Sequence, residues 1–301
     1  MQTSDQPGQP SGLYAALGAY LIWGFLPLYL LLVKSVPPFE FVGWRIIWTL
    51  PICIVIVLFR GQILDVKAAL ANRRALLVLM ASSVLIAVNW FVYVWAIQSG
   101  EVYAASLGYY INPLVNVLLG TLLLKERLSR LQWAAVALAG AGVAVLLAGA
   151  LTTLWISMTL ALSFGTYGLL RKQVPVGSLP GLTIESAILL PLAGGIAWWY
   201  AAGPAGSSFG HDLELSLAIV LGGVVTAVPL LLFALAARRM DYSTLGFFQY
   251  IAPSIVFILG LTVFERPLLP AQIASFALIW AAIGLFVWDL ARRRRRKPAA
   301  A

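Results

Sequence analysis

Histidine and cysteine each occur once in these 301 residues, as His211 and Cys53. One cysteine excludes a disulfide within the chain and any site built from several thiolates. One histidine, in a loop between apolar runs, leaves no cluster for zinc and no histidine-centred triad. Asp and Glu number only 11 and are scattered, with no DxxD-type pair. Enzymes acting on prenyl phosphates need such paired carboxylates to hold Mg²⁺. No GxxxxGK[ST] loop is present, nor a polar stretch large enough to house one, which excludes an ATP-driven pump. Repeated charged or carbonyl-lined filter elements of a channel are also missing. The sequence therefore predicts no enzymatic activity, no cofactor and no metal.

Charge is scarce as well. Charged residues make up 10% of the chain and hydrophobic ones 61%, against about 25% charged in soluble domains. So much apolar surface has no place in water, and the fold class expected is an all-α integral membrane protein. Apolar segments of spanning length fall at 12–33, 39–59, 75–98, 102–124, 131–148, 151–170, 180–200, 215–237, 243–264 and 271–290. With an even number of spans and both termini inside, the inner segments carry 17 Lys and Arg and the outer loops only Lys34 and Arg266. That asymmetry is the positive-inside rule, and it predicts ten helices with N-in/C-in topology. The first apolar run, 12–33, is too long for a signal-peptide core and lacks a small-residue cleavage site, so it is expected to persist as a helix. The tail "RRRRRK" at 292–297 could suit a nucleic acid. Directly after an apolar helix it reads instead as a cytoplasmic anchor on anionic lipid, and no nucleic-acid partner is expected. Nothing in the sequence fixes an oligomeric state.

Internal similarity organises the chain further. Pro113 and Gly120 are followed by "KER" at 125–127, and Pro253 and Gly260, 140 residues on, by "ER" at 265–266. "SLGYY" at 106–110 matches "TLGFF" at 244–248, and "IWG" in the first span matches "SFG" in the sixth. The steady offset predicts duplication of a five-helix unit, 12–148 and 151–290, followed by the basic tail 291–301. An odd number of helices forces the second copy to enter the membrane from the other side. Inverted repeats of this kind are an architecture of secondary transporters.

Ionisable and amide side chains within the spans are the functional candidates, because they are costly in hydrocarbon. Arg45 and Glu185 occupy corresponding spans of the two copies. Arg45 lies roughly 9 Å from one membrane edge and Glu185 roughly 8 Å from the other, so no salt bridge between them is expected. They are candidates for gating or coupling, one at each mouth; the alternative is snorkelling or a local hydrogen bond. In the fourth span Tyr109, Asn112, Asn116 and Gly120 share one face, with Asn112 near the midplane. Pro113 lacks an N–H and is expected to break or kink that helix, as is Pro253 in the ninth. The second copy places Ala252 and Val256 where the first has Asn112 and Asn116, so the amides suit a cavity wall better than scaffold. Helix-bridging amides are the competing reading. Asn89, Trp90 and Tyr93 in the third span, Ser163 and Tyr167 in the sixth, and Gln249 and Tyr250 in the ninth complete the candidate cavity. "ALAGAGVAV" at 137–145 reads as close helix packing or a dimer face.

"AYLIWG" at 19–24, "NW" at 89–90, "ASLGYYINPLVN" at 105–116, "STLGFFQYIAP" at 243–253 and "FALIW" at 276–280 resemble the RarD proteins, a branch of the EamA family within the drug/metabolite transporter superfamily. The resemblance runs over nearly the whole chain. It implies a ten-helix inner-membrane permease that exports small metabolites; the branch carries a chloramphenicol-sensitivity label that names a phenotype, not a substrate. RarD-like chains often have His before the arginine of the second span, where this chain has Trp44, which counts against a His-based proton role there. A membrane-embedded lipid-carrier flippase or enzyme, and an uncoupled facilitator or channel, are the competing classes.

Overall fold

The computed structural model describes residues 10–147, 151–265 and 270–296. Its helices are α1 (Pro10–Leu30), α2 (Pro38–Phe59), α3 (Ile63–Ala71), α4 (Arg73–Gln98), α5 (Val102–Leu122), α6 (Arg130–Leu147), α7 (Leu154–Gln173), α8 (Ser178–Ala202), α9 (Leu213–Arg239), α10 (Tyr242–Gln249), α11 (Ile251–Thr262) and α12 (Pro270–Arg296). Counting α10 and α11 as one, ten long helical segments follow one another among the described residues. Nine of them are long and apolar enough to cross a membrane. The tenth, α7, carries Ser157, Thr159, Ser163, Thr166 and the pair Arg171–Lys172. It tolerates them because α4, α5 and α9 surround it, so that little of it faces lipid. Residue 148, Arg266 and 297–301 lie outside the described residues.

Local chemistry sets several boundaries. Pro37 and Pro38 open α2, where a missing N–H costs nothing. Asn72 caps α4 by accepting from the Ala75 N–H at 3.0 Å. Gly100, at φ +80°, supplies the left-handed residue beyond α4. Short α3 exposes Ile63, Leu64 and Leu70 beside the ends of α2 and α4, an apolar edge suited to the membrane interface.

Short connections make successive segments antiparallel. One end of the bundle therefore holds both termini, and Arg239 Nη1 of α9 reaches Ser11 Oγ of α1 there at 2.9 Å. At the far end the Tyr29 hydroxyl of α1 donates to the Ala218 carbonyl of α9 at 2.8 Å. Outward faces are apolar: Phe59 is 88% exposed, and Leu122, Trp198 and Trp199 are exposed too. In water this would be untenable; against lipid it is the expected state.

The main packing contacts repeat when a segment is replaced by the one five further on, the contact of α7 with α9 being an exception. Helix α1 packs on α9 and α11, as α7 packs on α4 and α5. Helix α2 packs on α8 and α9, as α8 packs on α2 and α4, while α5 meets α10 and α6 meets α12. Lys125 and Glu265, 140 residues apart, are the non-glycine positive-φ residues of the described chain, at +57° and +47°. Each follows the end of an equivalent helix. Within 137–145, Gly142 serves contact within the chain, since a Cβ there would come within 3.0 Å of the Ser275 carbonyl of α12, whereas Gly140 faces open space.

Pro113 and Pro253 behave differently from one another. Helix α5 runs unbroken through Pro113, so the break expected there is absent. The loss of one intrahelical bond is tolerated where Pro113 is buried against neighbouring helices. In the other half α10 ends at Gln249 and α11 begins at Ile251, so the ninth span is interrupted at Tyr250, three residues before Pro253. The paired glycines also diverge. A Cβ on Gly120 would meet Glu126 and Ser243, each at 2.5 Å, whereas Gly260 faces open space.

Candidate functional site

The second and seventh spans bring their charges into two different environments. Glu185, on the second turn of α8, is 2% exposed. Its Oε1 meets the Ser82 hydroxyl of α4, and its Oε2 accepts from the Tyr167 hydroxyl of α7 at 3.4 Å. Arg171 Nε lies 3.7 Å from Glu185 Oε1, and the arginine is 1% exposed. The arginine's Nη2 donates to the Ser178 carbonyl at 2.9 Å. Its guanidinium sits directly against Gly181, where any Cβ would collide with it. A small cavity with room for about one water opens beside Glu185, between Thr49, Trp90, Tyr167 and Leu230.

The sequence puts Glu185 toward the inner mouth; in this conformation it is sealed inside the bundle. The reason is Arg171. Read from sequence as a loop cation, it sits on the last turn of α7 and turns inward as the counterion.

Arg45 has a different setting. Its guanidinium lies 4.3 Å from the ring centroid of Trp90, a cation–π contact of about 0.5–2 kcal/mol. Its Nε is buried without a hydrogen-bond partner. Its electrostatic neighbours are the phenols of Tyr109, Tyr93 and Tyr29, with no carboxylate among them. Tyr93 and Tyr109 meet edge to face at 5.8 Å, and 44% of Tyr109 is accessible. Arg45 and Glu185 do not pair. Trp90 stands between them, lining the Glu185 cavity and supporting the guanidinium.

The amides divide differently. Asn116, 0% exposed, donates from Nδ2 to Gln249 Oε1 at 2.8 Å and so ties α5 to α10. Asn89 Nδ2 donates to the Leu160 carbonyl at 2.9 Å and to Ser163 Oγ at 3.1 Å, tying α4 to α7. Tyr250 OH donates to the carbonyl of Tyr110, its counterpart 140 residues earlier, at 3.3 Å. These five residues bridge helices in this conformation. Asn112 is 2% exposed and its Oδ1 has no partner. Asn116→Val copies the residue of the other half but strands the Gln249 amide. It is expected to lower stability by about 1–3 kcal/mol, read by denaturant titration in detergent.

Several polar residues escaped sequence reading. Glu40, 0% exposed, accepts from Ser207 Oγ, Ser208 N and Ser208 Oγ at 2.7–2.8 Å and from Trp44 Nε1 at 3.2 Å, pinning the loop between α8 and α9. Glu126, read only as part of a repeat landmark, accepts from Tyr242 N, Ser243 N and Ser243 Oγ at the start of α10. Ser82 and Arg171 complete the set. Their partners lie up to 168 residues away, and no local spacing signals them.

The profile of the EamA-like transporter family matches residues 10–148. An uncharacterized transporter of Pseudomonas aeruginosa is 45% identical over 291 residues, 95% of this chain and 96% of that one. Protein RarD of Salmonella typhimurium is 40% identical over 286 residues, 95% of this chain and 97% of its own length. Protein RarD of Escherichia coli K12 is 40% identical over 293 residues, covering 95% and 96%. This chain belongs to the RarD branch of the EamA-like transporter family. A crystal structure at 21% identity superposes with a TM-score of 0.73, covering 95% of this chain and 99% of the other, and so shares the fold. As a RarD-family permease the chain is a multi-pass membrane transporter of the drug/metabolite superfamily.

Proposed function

We propose that the protein is a secondary transporter that exports a small metabolite or drug-like solute by alternating access around a cavity at the midplane. The observation that carries this reading is the exchange symmetry of the main packing contacts, in which α1 on α9 and α11 is matched by α7 on α4 and α5, and α2 on α9 by α8 on α4. Two halves, 12–148 and 151–290, inserted in opposite directions could trade conformations, and the trade would move the open side from one face to the other. The matching left-handed residues Lys125 and Glu265 support the same duplication. The 17-to-2 distribution of Lys and Arg supports cytoplasmic termini in the inner membrane, with the basic tail on anionic lipid.

Glu185 is the candidate for coupling transport to a proton gradient. It is a membrane carboxylate linked to both halves through Ser82 and Arg171. Proteoliposome counterflow across amino acids, nucleosides and amphenicol-type drugs tests transport itself. With a solute found in that way, wild-type flux is expected to respond to a pH gradient and Glu185→Gln flux to ignore it. An unchanged gradient response in the variant rejects coupling through Glu185.

A further inference from the structure

We infer that Arg45 is the anchor for a monoanionic carboxylate, and that the transported solutes are carboxylates with an aromatic or apolar body. The inference rests on the transporter reading above and names its substrate class.

A guanidinium this deep normally has an acidic partner, because an unpaired charge in the membrane is expensive. Arg45 has none: among the described residues no ion pair or hydrogen bond to its guanidinium exists, and its Nε is sealed and unpartnered. The acids that could have served are committed elsewhere. Glu185 is held by Arg171, Ser82 and Tyr167. Glu40, five residues before Arg45, is taken by Ser207, Ser208 and Trp44. The charge is thus kept in place by Trp90 and phenols alone. Aromatic faces steady a cation without neutralising it. A counterion must come from outside the chain.

The geometry also limits what that counterion is. One guanidinium with no second cation beside it balances a single negative charge, so a dianion would bring an uncompensated charge into the site. The planar fork of arginine fits the two oxygens of a carboxylate. Around it stand Trp90, Tyr93 and Tyr109, and Tyr109 keeps 44% of its surface accessible. Those rings offer stacking faces to an apolar or aromatic body and few hydrogen bonds to a sugar-like one.

The test uses the full-length chain in detergent, titrated with benzoate, 4-phenylbutyrate and N-acetylphenylalanine, and in parallel with the corresponding neutral amides. Tryptophan fluorescence and the thermal midpoint are read. At least one acid is expected to bind saturably, at least ten-fold tighter than its amide. Arg45→Gln is expected to lose that preference, and Arg45→Lys to keep part of it. If Arg45→Gln does not fold, the acid-to-amide comparison on the wild-type chain still decides. Amides that bind as well as acids, phenyl phosphate binding tighter than every acid, or no binding by any acid overturns the proposal. Proteoliposomes separate it from the transporter reading. An acid that binds but is never exchanged sinks transport and leaves the Arg45 site standing. Exchange of neutral or cationic solutes alone leaves transport standing and sinks the site.

Discussion

Glu185→Ala is expected to destabilise the detergent-solubilised protein by about 3–5 kcal/mol, the cost of stripping one partner from a buried ion pair. Arg171 is 1% exposed and retains only the Ser178 carbonyl once the carboxylate is gone. Its Nε and Nη1 already lack hydrogen-bond partners. The guanidinium has little room to move, because it sits directly against Gly181 of α8. Denaturant titration of helicity measures the loss. The pair Arg171→Met with Glu185→Leu is expected to recover most of it, since removing both charges leaves nothing unpaired. A useful contrast is Arg293–Asp289 on α12, which are 2.9 Å apart with Arg293 50% exposed. Removing Arg293 from that pair is worth about 0–1 kcal/mol, because the arginine reaches water and the buried Asp289 keeps the Ser129 hydroxyl at 2.8 Å. If Glu185→Ala costs no more than this, then Arg171 has access to water by another route and the pair is not sealed.

The Glu185 pair also marks where sequence reasoning stopped. The absence of a bridge between Glu185 and Arg45 followed from helix rise alone. The burial of Glu185 did not follow, because it depends on Arg171 turning inward from the last turn of α7. In a linear reading that residue sits beside Lys172 in a cationic cluster, and the two look alike. In the fold they part: Lys172 Nζ donates to the Ala237 and Met240 carbonyls at 2.8 and 2.7 Å, while Arg171 enters the bundle. The spans were legible because a membrane helix must be apolar over a fixed length. The exception, α7, is where protein neighbours replace lipid. Asn116 was legible as an anomaly, but its partner Gln249 lies 133 residues on and at no repeat offset from it. The one-sided amide therefore looked like a cavity wall when it braces α5 against α10. Trp90 and Arg45 were each identified as candidates; their stacking depends on how α2 faces α4, and no spacing within either helix encodes that.

Glu126→Ala is expected to raise the rate at which N-ethylmaleimide labels Cys53 by at least ten-fold. Cys53 is the only cysteine in the chain and is 0% exposed, so it is a built-in reporter. It lies six residues from the end of α2, about 9 Å in from the end that holds both termini. Several contacts close that end. Glu126 accepts three hydrogen bonds from the first residues of α10, at 2.6–2.8 Å. Arg238 Nη1 donates to the Val174 and Val176 carbonyls at 2.8 and 2.7 Å, and Lys172 adds its bonds to α9. Glu126 joins the first half to α10 by charge, and it does so at a helix N-terminus, where anions are favoured. Its hydrogen bonds to a charged acceptor are worth about 1.5–3 kcal/mol each. Losing one such bond in the closed state alone shifts the balance toward the open state by roughly ten- to a hundred-fold. Cys53→Ala must abolish the label, and substitution of the exposed far-end Lys34 must leave the rate unchanged. A faster rate with an unaltered unfolding midpoint means that Glu126 discriminates between two folded states. An unchanged rate means that the three bonds persist in both, and Glu126 then belongs to the fold and not to the transport cycle.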